Sequence, residues 1–317
     1  MAVFDGLIVS KWSRAVFEDM KLGGVTAANC TCAVWEGFRD TMGNIAKWHN
    51  WFNNFDDLLV PIKRVSDIRR AKTEKKVGIV LGFQNISPIE DELDFLGLFK
   101  DLGVGVMQLT YNTQNLVGSG CYESNDSGLS DFGRDAIDEM NRLGILIDLS
   151  HVGSQTSKDA IHHSKVPVCY SHACPKVLRD HPRNKTDEEL RVIAKHGGFV
   201  GVTMFPPFLP KGAESSLDDY LDAIEHVIKV IGEDQVGIGT DMTQDYDKTF
   251  FDWITHDKGT GRKLIDFGEI KNPPGFQRLG EFPNLTAAMI KRGWTEDRIR
   301  RIMGENWINT LANVWGD

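Results

Sequence analysis

Two histidines close two apolar runs at equivalent places, in the phrases Asp148-Leu-Ser-His151 and Tyr170-Ser-His172. If the runs are neighbouring parallel strands, about 4.8 Å apart, imidazoles at matching heights can share one metal at roughly 2.0–2.1 Å per nitrogen. A third run ends at Thr240 and Asp241. A carboxylate there, across the mouth from the imidazoles, could orient or deprotonate a metal-bound water whose pKa the ion lowers toward about 7. Other runs end at Gln84 and Asn85 and at Thr110 and Tyr111. The pattern points to a metallohydrolase, against the plainer reading that a histidine ending a strand is only a hydrogen-bonded structural residue.

Other residues with chemical potential have plainer explanations. His162 and His163 are consecutive within an expected helix and diverge, which suits a solvated face. His49, between Trp48 and Trp51, could belong to an aromatic substrate wall or to a packed surface segment. Cys30 and Cys32 fall on one side of a strand and read as small core thiols. Glu90–Asp94 reads as a solvated helix start favoured by the helix dipole.

Positioning these groups requires a scaffold of strands and helices. Eight apolar runs recur: Val3–Ser10, Gly24–Cys32, Val77–Asn85, Val104–Tyr111, Ile145–His151, Val166–His172, Phe199–Phe205 and Val236–Asp241. Several are nearly continuous in apolar character, as strands buried on both faces of a parallel sheet must be. Helical spacing falls between them, over Asp91–Leu102, Ser130–Leu143, Gln155–His163, Thr186–His196 and Leu217–Ile231. No glycine-rich phosphate fingerprint follows the first run, so the pattern predicts an α/β fold of the TIM-type (β/α)8 barrel kind rather than a doubly wound sheet. The site then lies at the C-terminal ends of the strands. A single domain over residues 1–317 is expected, with a helix over 295–315, N-capped by Thr295, packed outside the barrel.

The composition narrows the partners. The 317 residues carry a formal charge of −9 with no long run of like charges, which argues against nucleic acid and anionic membrane surfaces as partners. Five cysteines, an odd number without disulfide-rich density, suit a reducing compartment and a cytoplasmic address. The first ten residues lack a signal-peptide pattern, and no apolar run approaches the roughly 18 residues of a membrane span.

Taken together, several phrases resemble the membrane (renal-type) dipeptidase family of the amidohydrolase superfamily. They are Ser130-Asp-Phe-Gly-Arg134, Glu139-Met-Asn-Arg-Leu-Gly144, Asp148-Leu-Ser-His151, Ser171-His172, His181-Pro-Arg-Asn184 and Val236-Gly-Ile-Gly-Thr-Asp241. The tail adds Asn284-Leu285, Arg292-Gly-Trp294 and Gly304-Glu-Asn306. The resemblance implies a (β/α)8 barrel, a two-zinc centre, hydrolysis of dipeptides or small amides, and a homodimer. It also implies roles: His151 and His172 as ligands of the second zinc, Arg183 as the partner of the substrate carboxylate, and Asp241 as the acid/base group.

The chain departs from that pattern at three strands. Where the family has Asp-Gly-His-x-Asp, this chain has Asp5-Gly6-Leu7-Ile8-Val9, so two ligands become aliphatic. Gln84 stands for the bridging glutamate, and Tyr111 for a histidine that holds the scissile carbonyl oxygen. Leucine and valine have no lone pair to donate and Gln84 is neutral, so the expectation is at most one zinc, on His151, His172 and Gln84. Tyr111 can still donate to an oxyanion. The expected function is hydrolysis of a small peptide or amide whose carboxylate meets Arg183. The alternative is a catalytically changed or retired barrel that binds a small, even cationic, metabolite or runs a non-hydrolytic reaction in the same pocket. Trp12, Trp253 and the stretch Trp35–Trp51 could line a pocket for a cationic amine or serve core packing equally well.

Overall fold

Each of the eight apolar runs contains a parallel strand in the computed structural model, which describes residues 1–316. In chain order the strands are β1 (Phe4–Ile8), β2 (Ala27–Ala33), β3 (Leu59–Pro61), β4 (Val77–Phe83), β5 (Val104–Gln108), β6 (Leu146–Asp148), β7 (Cys169–Ala173), β8 (Phe199–Val202) and β9 (Val236–Ile238). They hydrogen-bond in the order β1-β2-β4-β5-β6-β7-β8-β9, with β3 paired to the start of β4. The ring is drawn together where Asp241 N donates to Leu7 O and Val9 N to Met242 O, each at 3.0 Å. Below that seam the fully buried Asp5 accepts from Thr240 N at 2.8 Å and from Thr240 Oγ1 at 2.5 Å, joining β1 to the end of β9. The result is a nearly closed barrel of eight parallel strands alternating with helices, as the pattern of runs predicts.

Most strands are shorter than their runs. The histidines that end two runs are placed differently: His151 lies three residues beyond β6, whereas His172 is still within β7. β3 is an addition that the sequence did not suggest, being only three residues long and ending in proline. Three helices between the first runs, Arg14–Leu22, Phe38–Asn54 and Val65–Glu74, likewise went unpredicted. Side chains cap two of the expected helices: Ser130 Oγ accepts from Gly133 N at 2.9 Å, and Thr186 with Glu189 forms a capping box.

The expected helix over 295–315 is divided. Thr295 caps Glu296–Arg300 as predicted, a π turn follows over Arg301–Glu305, and the last helix is Asn306–Trp315. Only glycine fits at the break: at Gly304, whose φ/ψ is not helical, a β-carbon would stand 2.7 Å from Ala2 O and 2.9 Å from Phe4 N. The last helix then closes the N-terminal end of the barrel. Its Trp307 packs 4.3 Å from Phe199 and 5.5 Å from Phe4, ring to ring, and donates Nε1–H to Ile238 O at 2.7 Å. Among the described residues no helix is long and apolar enough to cross a membrane.

Candidate active site

At the opposite end of the barrel, the carboxylate of Asp148 fixes two neighbouring strand ends at once. It accepts from Ser150 N and Oγ (3.0 and 2.6 Å) and from Ser171 N and Oγ (2.9 and 2.5 Å). Ser171 Oγ, its proton spent on Asp148, is left to accept from His172 Nδ1–H at 2.7 Å. His151 Nδ1 lies 2.7 Å from Asn112 Oδ1, an acceptor that also takes the Cys121 thiol. Both rings are therefore assigned, from these partners, the tautomer protonated at Nδ1. Their two Nε2 atoms face each other at 3.0 Å, each carrying a lone pair. Burial, and next the charge of Arg183, holds both imidazoles well below the usual histidine range, so both are neutral.

Tyr111 stacks on His151, with ring centroids 4.3 Å apart and planes at 29°, and Trp35 meets Tyr111 edge-on at 4.9 Å. Burial pushes the Tyr111 phenol up, and nearby Asp241 pushes it further, so it is held as a hydrogen-bond donor. Asp241 follows β9 in a left-handed conformation, φ 57°, which aspartate tolerates better than most side chains. Its carboxyl is pushed up to about 7 by burial, against the pull of Arg183 and with Asp5 and Asp148 adding to the rise. That value suits a group that exchanges protons near neutral pH.

Arg183 is fully buried and donates one hydrogen bond, from Nη2 to His172 O at 2.6 Å. Its Nε and Nη1 have no partner, and its guanidinium lies 5.4 Å over the Phe208 ring. A buried cation with unused donors is costly unless an anion meets it. Gln84 is buried as well, its carbonyl accepting from the Gln108 side chain. Gln84, Tyr111, His151 and Asp241 all line one cavity of about 20 Å³, roofed by Phe205, Phe208, Phe250, Ile254 and Phe267. That volume holds about one water.

The six singled-out positions, Gln84, Tyr111, His151, His172, Arg183 and Asp241, are thus gathered around one end of the barrel. Sequence reasoning missed the groups that hold them. Asp148 sits within a phrase already noted, two residues before Ser150, and its side chain bonding the backbone two residues on was a readable signal. Asn112 has φ 61°, a conformation asparagine tolerates, yet nothing local marked it as the partner of His151. Of the alternatives left open, His49 belongs to a packed surface segment: its Nε2 lies 3.0 Å from Leu102 O. His162 is exposed on the helix Ser154–His163, and Cys30 and Cys32 are buried free thiols pushed up by burial. The helix after Glu90–Asp94 begins only at Asp94, with Glu90 exposed ahead of it at φ 54°. Among the described residues no three His, Cys, Asp or Glu side chains are grouped as metal ligands.

Comparison with known proteins gives the fold and site a context. A family model described as membrane dipeptidase (Peptidase family M19) matches residues 12–250. An uncharacterized dipeptidase of Schizosaccharomyces pombe is 32% identical over 255 residues, covering 78% of this chain and 55% of its own length. The dipeptidase aclJ of Aspergillus oryzae is 28% identical over 286 residues, covering 88% of this chain and 62% of its own. The chain therefore spans 55–62% of the length of these curated relatives. Among solved structures, an amidohydrolase from Pseudomonas aeruginosa is 56% identical, with a TM-score of 0.98 over 100% of this chain and 97% of its own.

Proposed function

Because the chain belongs to the membrane dipeptidase family, we propose that it is a dipeptidase-like amidohydrolase, cleaving a small peptide or amide that carries a carboxylate. The observation that carries the proposal is the convergence of Asp241, Tyr111 and His151 on one cavity, with the unpaired guanidinium of Arg183 alongside. Arg183 Nε and Nη1 bind the substrate carboxylate, the pairing for which a planar fork is suited. Asp241 takes a proton from the attacking water at its carboxylate and delivers it to the leaving nitrogen. Tyr111 donates its hydroxyl proton as a hydrogen bond to the oxygen that gains charge. A cavity with room for one water admits a substrate only when the aromatic roof parts, and its return excludes bulk solvent.

The family and its relatives imply a metal cofactor, and the residues present fit one ion rather than two. Leu7 and Val9 are buried hydrocarbons that offer no donor, and Gln84 is neutral. Two Nε2 lone pairs facing at 3.0 Å, with both Nδ1 atoms committed elsewhere, suit a single cation between them. His151 and His172 would hold it, with Gln84 as the third donor, and zinc is the ion imidazoles of this kind favour. When bound, it supplies Lewis-acid polarisation and lowers the pKa of water.

The proposal is tested with dipeptides whose C-terminal carboxylate is free or amidated. Hydrolysis is expected of the free acids, with at least tenfold loss on amidation. Equal rates on both, or no hydrolysis across a broad panel at any metal supplement, contradict it.

A further inference from the structure

A second cavity, of about 240 Å³, opens beside the first and shares Val9, Val34 and Phe250 with it. Two aromatic walls line it. In one, Trp48 lies 5.0 Å from both Trp12 and Trp51, with planes at 60° and 90°. The other comes from the segment after β9, where Tyr246 stacks on Phe250 at 3.6 Å and Trp253 follows at 6.1 Å. Of these rings only Trp48 is buried; the other five are partly exposed. Aromatics that serve packing alone hide their faces, whereas these leave ring surface open onto a shared space smaller than the roughly 300 Å³ at which drug-sized pockets begin.

The same cavity holds one carboxylate. Glu36 is fixed by Val34 N–H at 2.7 Å and Asn44 Nδ2–H at 3.1 Å, and it makes no ion pair among the described residues. Lys11 and Lys47 also reach the cavity's edge, but both are exposed, and Lys47 Nζ turns to Asn44 Oδ1 at 3.4 Å. Exposed lysines of this kind keep the ammonium group in water while the stem borders apolar surface. An apolar occupant would strip water from Glu36 without replacing it, and an anion would be repelled by it. A small hydrated metal ion would find one carboxylate among hydrocarbon faces where it needs several oxygens. Aromatic faces and a single unpaired carboxylate suit a large, weakly hydrated cation.

We propose that this cavity binds an organic ammonium group, secondary to quaternary, on a small metabolite. The rings supply their negative faces to the alkylated nitrogen and Glu36 supplies the countercharge. The site does not depend on amide hydrolysis at Asp241, so a binding assay tests it separately from the proposed reaction.

The full-length protein is titrated at constant ionic strength with tetramethylammonium chloride and with uncharged tert-butanol, read by calorimetry and by tryptophan fluorescence. Saturable binding of the ammonium is expected, at least about tenfold tighter than the alcohol, as cation–π attraction in a partly desolvated site implies. Glu36→Gln and Trp253→Ala should each weaken it by about fivefold or more, and Trp253→Phe, which keeps an aromatic face, should restore most of it. Thermal unfolding of each variant separates a lost site from a lost fold. Equal affinity for the two probes, absence of saturation by the ammonium, or an unchanged titration in folded Glu36→Gln overturns the proposal.

Discussion

The mouth of the barrel has two unlike sides. On the side built from β5, β6 and β7, buried polar groups are hydrogen-bonded in two sets, Asp148 to Ser150 and Ser171 with Ser171 to His172, and Asn112 to His151, and the two imidazoles meet with their Nε2 lone pairs 3.0 Å apart. On the side built from β1 and β2, the comparable places hold Leu7, Val9 and Val34. Leu7 and Val9 are buried, yet neither belongs to the hydrophobic cluster beneath the helices. Aliphatic groups in such a place can exclude water and shape a ligand, but they can neither bind a metal nor move a proton. The difference teaches that one barrel mouth can carry a hydrogen-bonded polar side facing an aliphatic wall.

The largest way to break this contrast is Asp241→Asn, which is expected to lower kcat by about 10³-fold. The same change should stabilise the fold at pH 8. Burial raises the Asp241 carboxyl to about 7, so the folded protein favours its protonated form and loses stability as the pH climbs through 7. Asparagine escapes that loss, so its thermal midpoint should exceed that of the parent at pH 8, and the gap should narrow steadily as the pH falls toward 4. Activity should correspondingly rise through an acid limb near pH 7, where the base becomes ionised.

Arg183→Met, which keeps much of the volume, is expected to lower kcat/KM by about 10²-fold for carboxylate substrates, chiefly through KM. Arg183 holds the Asp241 carboxyl down, so its removal should also move the acid limb to higher pH. A limb that stays in place or moves down would detach Arg183 from the site.

The two sides should also differ in what they contribute to stability. Asp148→Ala leaves two hydroxyls and two backbone N–H groups without their acceptor and is expected to cost about 3 kcal/mol in urea unfolding, with activity lost as well. Val9→Ala, on the other side, should cost about 1–2 kcal/mol and leave kcat within twofold. Similar losses of activity from both changes would erase the distinction.

The barrel was legible because its strands are buried on both faces: runs such as Val77–Asn85 and Val104–Tyr111 leave few other readings. Gln84, Tyr111, His151, His172 and Asp241 were legible because each lies at or next to the end of such a run, whereas Arg183 came only from the resemblance to the dipeptidase family. What escaped depends on contacts far apart in sequence or on sterics. Asn112 meets His151 across 39 positions, and Asp5 meets Thr240 across 235. Periodicity shows no trace of either pairing. Helical spacing over 295–315 did not reveal the break at Gly304, because the close passage of Ala2 and Phe4, which leaves no room for a β-carbon there, is a contact far apart in sequence. From sequence, Trp253 is grouped with Trp12 and the stretch Trp35–Trp51, but Tyr246 and Phe250 join that cavity only in the folded chain.

The central claim is that only one side of the mouth is equipped to hold a metal. Its most direct test is the metal content of protein purified without chelator and then equilibrated with excess zinc, measured by plasma mass spectrometry after desalting, for the parent and for His151→Ala. The account predicts no more than one zinc per chain in the parent and none retained by the variant. Two zinc ions per parent chain, or one retained without His151, would contradict it.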